Sequence, residues 1–415
     1  MRFLRYTSKE FEKICQRRFF IKKKVSQTVR QILEDVRKYG DKALIYYTKK
    51  FDKVTLKVKD LKVTESEISG AFQNIDSEFL GCLKKIIQLV SNFYKVQLKN
   101  FKFKVKTEQG SLIQEKFFPL ESVGIYVPCG QAPLISTVYM TAIPANIAGV
   151  KRIVLVSPPD KNGKIHPYIL VVASLLKIKE IYKVGGAQSI GALAFGTKTI
   201  KPVDKIIGPG GVYVTEAKRQ VYGFVDIDML AGPSELVILA SDEVNFEWVT
   251  QDLKAQAEHI NGEVFLITDS KKLANYVKNR VNTGFIIMVR DLEVGADIVN
   301  KLAPEHLQIM VKNPKKILKL IRNCGAIFVG EYSPTVVGDY IAGPSHVLPT
   351  FGTARFFSDL NIYQFLKSLH IIEYSKKELE ENKRLIEKIA TLEGMEEHKK
   401  SIEIRFSHEK DKSAA

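Results

Sequence analysis

The chain has 415 residues, 45% of them hydrophobic and 26% charged, a balance typical of a soluble globular protein with two or three domains. No stretch is apolar over the length that spans a bilayer, no signal peptide is evident, and four scattered cysteines are expected to be reduced thiols of a cytoplasmic protein. The formal net charge is +17, but the lysines are spread beside acidic residues, which favours a solvated surface over a nucleic-acid footprint.

The first part of the chain is predicted to be mainly helical. Residues 1–22 are interpreted as an N-terminal arm, and residues 23–122 as a helical region that packs with the second of two α/β modules. Apolar residues recur three and four positions apart over residues 24–100, and Gly40 stands where one helix should end. Nothing in this region suggests chemistry of its own, so we expect it to cover other parts of the fold.

From Val123 onward, short apolar runs rich in β-branched residues alternate with helical stretches. This alternation predicts parallel sheets with helices on both faces. We therefore predict two tandem doubly wound, Rossmann-like α/β modules at residues 123–234 and 235–355, with ligands beyond the carboxyl ends of their strands. The alternation then fails, and residues 356–415 are predicted to form a helical C-terminal extension with a frayed polar tail.

Two glycine-rich turns between strand and helix mark the first module, at residues 185–197 and 208–221. Glycine lets backbone N–H groups approach a phosphate at the start of a helix. Neither turn has the GxGxxG spacing of a dinucleotide site, and glycines needed only for tight packing would give similar sequences.

Gln256 and His259 stand three residues apart at the end of a predicted helix that begins with FEWVTQDL. Residues at this spacing lie on one side of a helix and can reach the same point in space. Imidazole is a common zinc ligand and an amide oxygen a weaker one, but zinc usually needs four donors. The pair alone is more simply explained as the polar face of an ordinary helix end.

Glu305 and His306 are adjacent at the predicted entry to a strand, where a loop can present both side chains to a ligand. A carboxylate and an imidazole can divide general acid and base work, although a surface pair of this kind is commoner. Similar groupings are Asp339 with His346 on a glycine-rich loop, and Glu393 with His398 near the C-terminus.

Several long motifs, in order from about Ile32 to Arg405, resemble the histidinol dehydrogenase family. They include GGAQSIGALAFGT, LAGPSELVIL, DLKAQAEH, APEHLQI, GDYIAGPSHVLPTFGTARF and EGMEEHKKSIEIR. The resemblance implies oxidation of L-histidinol to L-histidine through a bound aldehyde, with two NAD⁺ reduced.

The resemblance also implies roles for individual residues. The expected zinc ligands are Gln256, His259, Asp339 and His398. The expected catalytic pair is Glu305 and His306, and the expected substrate contacts are Ser234, Gln256, His259, His306, Asp339, Glu393 and His398. Tyr126 and Gln188 match family contacts to NAD, as does the position of Gly211. For His346 we expect only structural support of the loop that carries Asp339.

Four residues depart from the family pattern. Gly211 stands where the family usually has Asn, Cys129 where it has Gly, Ser122 where it has Arg, and Tyr94 where it has His. We expect these departures to affect the binding of the cofactor and to leave the metal and catalytic residues intact.

The family resemblance further implies a homodimer in which residues 356–415 of one chain complete the active site of its partner. Two alternatives stay open at this level. A zinc hydrolase could use the same metal with Glu305 and His306, but it would have no use for the glycine-rich turns near Tyr126 and Gln188. A basic nucleic-acid-binding protein would leave the pattern of candidate ligands unexplained.

Overall fold

The computed structural model describes residues 1–16, 21–73, 75–99, 103–129, 133–259 and 261–407. The chain divides into two compact units, Met1–Leu98 with Pro119–Phe365, and Lys99–Phe118 with Leu366–Ala415. None of the helices in these described ranges is long and apolar enough to cross a membrane. The tail at 408–415, which was expected to be frayed, lies outside the described residues.

The N-terminal part of the first unit is helical, as predicted. Its elements are β1 (Arg2–Phe3), α1 (Lys9–Cys15), α2 (Lys23–Tyr39), α3 (Asp41–Phe51), α4 (Glu65–Phe72) and α5 (Ser77–Leu98). Helix α2 buries Val29, Ile32, Leu33 and Val36, whose spacing forms one apolar stripe. It ends at Gly40, whose positive φ of 57° turns the chain into α3.

The first α/β module is a five-stranded parallel sheet with helices on both faces. Its elements are β4 (Ser122–Tyr126), α6 (Ile135–Ala148), β5 (Arg152–Ser157), α7 (Pro167–Leu175), β6 (Glu180–Lys183), α8 (Gly186–Phe195), β7 (Lys205–Ile207), α9 (Val212–Val221) and β8 (Asp226–Ile227). The strand order is β6-β5-β4-β7-β8, and every recorded pairing is parallel. The order reverses between β4 and β7, the place where doubly wound sheets bind ligands.

The second module repeats this plan. Its elements are β9 (Glu235–Ala240), α10 (Phe246–Ala257), β10 (Glu263–Thr268), α11 (Lys271–Lys278), β11 (Phe285–Met288), α12 (Leu292–Leu302), β12 (His306–Met310), α13 (Pro314–Leu318), β13 (Ala326–Val329) and α14 (Thr335–Tyr340). The strand order is β1-β11-β10-β9-β12-β13 and all pairings are parallel. The N-terminal arm therefore supplies an edge strand, and the predicted doubly wound fold class is confirmed for both modules.

The helical region packs mainly on the first module, so the prediction that it packs with the second is wrong for α2, α3 and α4. Helix α2 lies against α8 and α9, α3 against α8, and α4 against α7. The apolar stripe of α2 belongs to the same core cluster as Ile190 and Ala217. Helix α5 lies against α6 of the first module, and its last turns also meet later parts of the chain. Phe93 borders Gly343, and Tyr94 donates a hydrogen bond to the carbonyl oxygen of Leu360 at 3.2 Å.

The second unit combines a small sheet with two helices. Its elements are β2 (Phe103–Lys106), β3 (Leu112–Pro119), β14 (Leu366–Glu373), α15 (Lys376–Leu392) and α16 (Glu396–Ser407), and its strand order is β14-β3-β2. The prediction of a purely helical extension is therefore wrong for Leu366–Glu373. Because β14 pairs with β3, far earlier in the chain, its strand conformation depends on a partner that local sequence does not reveal.

Candidate active site

Several of the predicted site residues of the second module meet at the amino ends of two neighbouring strands, β9 and β12. His306 is the first residue of β12 and follows Glu305 directly, while Ser234 immediately precedes β9. The two strands are neighbours, with His306 in register with Leu236. The expectation of ligands beyond the carboxyl ends of the strands is therefore wrong for these residues. Their side chains are bonded to the backbone of β9 at its amino end, and no helix start is involved.

The imidazole of His306 is fixed by a backbone carbonyl. Its Nδ1 lies 3.1 Å from the carbonyl oxygen of Glu235, which can only accept a hydrogen bond, so Nδ1 carries the proton. Burial lowers the pKa of His306 to about 4, and the ring is therefore neutral. Its buried Nε2 has no hydrogen-bond partner among the described residues and lies 4.0 Å from Oδ1 of Asp339. Nε2 is thus available to accept a proton.

Glu305 is buried beside His306 and is held by the same backbone segment. Its Oε2 accepts a hydrogen bond from the Glu235 N–H at 2.9 Å and lies 3.6 Å from Nδ1 of His306. Burial, and to a smaller extent the negative charge of Asp339, raises the pKa of Glu305 well above its usual value. A hydrogen bond from Ser234 lowers the pKa, but it does not outweigh these two effects. A positive charge brought into this site would favour the ionised carboxylate.

The end of α10 presents Gln256 and His259 at a tight turn. Gln256 is 3% exposed, and within the described part of the chain its Nε2 has no hydrogen-bond partner. The backbone N–H of His259 donates to the carbonyl oxygen of Gln256 at 3.2 Å. A Cβ at Gly262 would stand 2.6 Å from that same oxygen, so a glycine is needed where the chain leaves the turn.

Asp339 and His346 complete the cluster from the loop that follows β13. Asp339 lies on α14, and Nδ1 of His346 is 3.0 Å from its carbonyl oxygen. This bond is the kind of contact expected of a residue that supports the loop. The charges of Asp339, His259 and His346 all influence the pKa of His306, which places these side chains around one site.

A cavity of about 450 Å³ opens beside His306 and His346. Its remaining wall is largely apolar and includes Phe93 and Phe328, the ring of the latter 5.9 Å from the His306 ring. The size and lining suit a small molecule with polar groups at one end. Sequence reasoning missed Phe93, since an aromatic residue in a helical stretch looks like any other core residue.

The predicted zinc ligands divide between the two units. Gln256, His259 and Asp339 belong to the first, whereas Glu393 is the C-cap of α15 and His398 lies in α16 of the second. Among the described residues, no three His, Cys, Asp or Glu side chains gather closely enough to hold a metal ion. An amide oxygen, an imidazole and a carboxylate are nevertheless groups that zinc accepts as ligands, so the chemistry of Gln256, His259 and Asp339 fits a metal site.

The predicted cofactor residues of the first module lie at the carboxyl edge of its sheet, as expected. Tyr126 ends β4, and its hydroxyl accepts a long hydrogen bond of 3.4 Å from the N–H of Gly186, at the start of α8. Gln188 is 1% exposed, and neither atom of its amide has a partner within the described ranges. Gly211 is the N-cap of α9 and has open space where a side chain would be.

Two of the four departures from the family pattern lie away from this edge. Ser122 begins β4 at the opposite end of the strand and is bonded to the Asp204 carboxylate at 2.8 Å. Tyr94 lies on α5 and donates its hydroxyl hydrogen bond to the carbonyl oxygen of Leu360. Cys129 and Gly211 lie near the carboxyl edge. An effect of the departures on cofactor binding stays a prediction, and these two positions are the ones from which a direct contact is expected.

Comparisons with known proteins agree over both units. A sequence profile of the histidinol dehydrogenase family matches residues 15–406. A histidinol dehydrogenase of Caldanaerobacter subterraneus is 43% identical over 415 residues, covering 95% of this chain and 96% of that protein. A histidinol dehydrogenase of Bacillus subtilis is 45% identical over 399 residues, covering 91% of this chain and 92% of that protein. The crystal structure of histidinol dehydrogenase from Elizabethkingia anophelis has a TM-score of 0.93 at 36% identity and covers 98% of both chains.

Proposed function

The chain belongs to the histidinol dehydrogenase family, oxidoreductases that oxidise histidinol in histidine biosynthesis, and from this premise we propose the details of its reaction. It oxidises L-histidinol to L-histidine through bound histidinaldehyde, reduces two NAD⁺, and depends on zinc. The observation that carries this proposal is the neutral His306 at the cavity, whose Nδ1 lies 3.6 Å from Glu305. Its Nε2, without a hydrogen-bond partner among the described residues, lies 4.0 Å from Asp339. The family membership also removes the hydrolase alternative.

Substrate binding combines the metal site with the cavity. Gln256, His259 and Asp339 would hold zinc together with His398. When bound, zinc supplies a template for the imidazole and amine of histidinol, and it adds positive charge to the site. The apolar wall of the cavity excludes water from the carbinol end of the substrate.

His306 is the base for the alcohol. The C–H bond of the carbinol breaks, its hydride passes to the nicotinamide, and the hydroxyl proton passes to Nε2 of His306, which leaves the aldehyde. The bond from Nδ1–H to the Glu235 carbonyl keeps Nε2 unprotonated and correctly oriented before the step. The imidazolium that forms lies beside the negative charge of Asp339.

Glu305 serves the second oxidation. Water adds to the aldehyde carbonyl as one of its protons passes to Glu305, which leaves the hydrate as an anion. This anion then gives up a hydride to the second NAD⁺, and the carboxylic acid results. Glu305 must be ionised for this step, and the Glu235 N–H stabilises that form. The positive charge supplied with metal and substrate favours it further.

The dinucleotide binds at the carboxyl edge of the first sheet. Tyr126, Gln188 and the backbone at Gly211 provide the contacts, and the start of α8 provides N–H groups for a phosphate. The unpaired amide of Gln188 supports this assignment, because a buried amide without a partner is costly unless a ligand satisfies it.

The assembly we propose is a cytoplasmic homodimer with shared sites. Glu393 and His398 of one chain contribute to substrate and zinc binding at the site of its partner. The support is the membership of both residues in a unit separate from the one that holds the other ligands, together with the expectation from the family resemblance.

The test is the stoichiometry of the zinc-loaded protein. NADH formed per L-histidinol consumed should approach two, with L-histidine as the product, and removal of zinc by a chelator should abolish the reaction until zinc is restored. A ratio of one with aldehyde as the final product, or full activity in metal-free protein, would refute the proposal.

A further inference from the structure

Helix α3 carries the buried Thr48 and is capped at its C-terminus by the partly buried Asp52, and the reaction described above uses neither side chain. Thr48 and Asp52 lie one turn apart, on the same side as the core residue Leu44. Thr48 is completely buried, and neither its Oγ1 nor the Oδ2 of Asp52 has a hydrogen-bond partner among the described residues. Leaving such atoms unpaired destabilises a protein unless water or a ligand satisfies them.

The packing of α3 places these groups beside the proposed cofactor site. Asp41, the first residue of α3, accepts a hydrogen bond of 2.8 Å from the hydroxyl of Thr199, which lies beyond the end of α8. The two helices are in contact, so α3 runs back along α8 and ends near its start. There Gly186 meets the hydroxyl of Tyr126, and the charge of Asp52 contributes to raising the pKa of Tyr126.

The chemistry of this group of side chains favours hydroxyls as the ligand. A carboxylate repels phosphate, so the phosphates of a dinucleotide would lie elsewhere at the helix start. A ribose offers neighbouring hydroxyls that can donate hydrogen bonds to the Asp52 carboxylate. The same hydroxyls can donate to or accept from the Thr48 hydroxyl and the Gln188 amide. In doubly wound folds, an acidic side chain that binds the ribose is a recurring way to distinguish NAD from NADP.

We propose that Asp52, assisted by Thr48, binds a ribose hydroxyl of the dinucleotide and makes this enzyme select NAD over NADP. The inference rests on the proposed cofactor site at Tyr126 and Gln188. It explains why a carboxylate is kept in a place where burial raises its pKa to about 6, since a hydroxyl donor replaces the lost hydration.

Binding of reduced cofactors, measured by fluorescence titration without histidinol, tests the inference separately from catalysis. The wild-type protein should bind NADH more than tenfold more tightly than NADPH. Asp52→Asn should weaken NADH binding about tenfold and reduce the preference at least fivefold, because the charged acceptor is lost. Thr48→Val should weaken the binding of NADH about threefold. Asp297→Asn, at an exposed position on α12, is the matched control and should change neither the Kd for NADH nor that for NADPH.

The outcomes separate the two proposals. Wild-type protein that binds neither NADH nor NADPH would overturn the cofactor site itself. Normal NADH binding with an unchanged preference in a folded Asp52→Asn variant would overturn only the role of Asp52, and would indicate that water satisfies its carboxylate. Melting curves establish that the variants are folded, and Thr48→Val provides the test if Asp52→Asn does not fold.

Discussion

The backbone of a neighbouring strand orients His306, the proposed proton acceptor. Nδ1 of His306 donates to a carbonyl of β9, and the adjacent N–H of Glu235 binds Glu305. Two groups of one residue therefore orient both proposed catalytic side chains, with no intervening side chain that could rotate. Such orientation reduces the reorganisation required when the proton moves.

Gly211 gives a prediction at the scale of one residue. Its φ of −67° suits any amino acid, and a side chain there would meet open space. Gly211→Asn should add an N-cap to α9, raise the free energy of unfolding by a few tenths of a kcal/mol, and lower KM for NAD⁺ about threefold. Gly211→Ala is the control and should not lower KM. An asparagine variant whose KM equals that of the glycine protein would show that this contact is unimportant here.

Asp52 gives a pH-dependent prediction. Burial raises its pKa in the folded state from the ordinary 3.8 to about 6, so the folded form binds its proton more tightly than the unfolded form. The resulting cost to stability is absent below pH 3.8, grows up to about pH 6 and is constant above. After allowance for solvent screening, Asp52→Asn should stabilise the protein by about 1 kcal/mol at pH 8 and not at pH 4. Melting curves at both values measure this, and equal shifts would contradict it.

At the scale of elements, a buried ion pair supports the glycine-rich turn after β7. Lys218 on α9 pairs with Asp228 and donates to the Gly208 carbonyl oxygen at 3.1 Å, while Asp228 accepts from the Gly208 N–H at 2.8 Å. Gly208 itself lies so close to β4 that a Cβ would stand 2.2 Å from the Tyr126 carbonyl oxygen. The ends of β4 and β7 are therefore held together where the cofactor is proposed to bind.

Lys218→Met should consequently lower the free energy of unfolding more than removal of both charges of the pair. The single change leaves the Asp228 carboxylate buried without its cation and should cost about 3–5 kcal/mol, with a higher KM for NAD⁺. The double variant Lys218→Met with Asp228→Asn should recover part of the lost stability. Thermal unfolding of both proteins provides the comparison, and a double variant less stable than Lys218→Met would contradict this account.

The elements of the two modules could be predicted from sequence because their signals are local. Apolar strands covered on both faces alternate with helices, and Gly40 ends α2 where the pattern indicated. Strand β14 could not be predicted, since its partner β3 is distant in sequence. The apolar stripe of α2 predicts that this face is buried, but it does not indicate which module packs against it. The amino-edge site was also hidden, because it depends on bonds to the backbone of Glu235.

At the scale of the whole molecule, the proposed zinc ligands belong to two different units of the chain. Inactive His398→Ala and His306→Ala chains should complement each other when they are unfolded, mixed and refolded. In a mixed dimer with shared sites, one site collects both substitutions and the other none. Random pairing makes about half the dimers mixed, so activity should return to about a quarter of wild type. Confirmed mixed dimers as inactive as their parents would show that each site belongs to one chain.

The division of labour between His306 and Glu305 is the central claim, and rates on the alcohol and aldehyde measured separately test it most directly. With histidinol as substrate, His306→Asn should slow the first oxidation strongly, because no acceptor takes the hydroxyl proton. With histidinaldehyde, Glu305→Gln should lose more activity than it does with histidinol, because water is no longer activated. Both effects should be tenfold or more, within the range of general acid–base catalysis, which is about 10²–10⁴. Equal losses on both substrates for both variants would contradict separate roles.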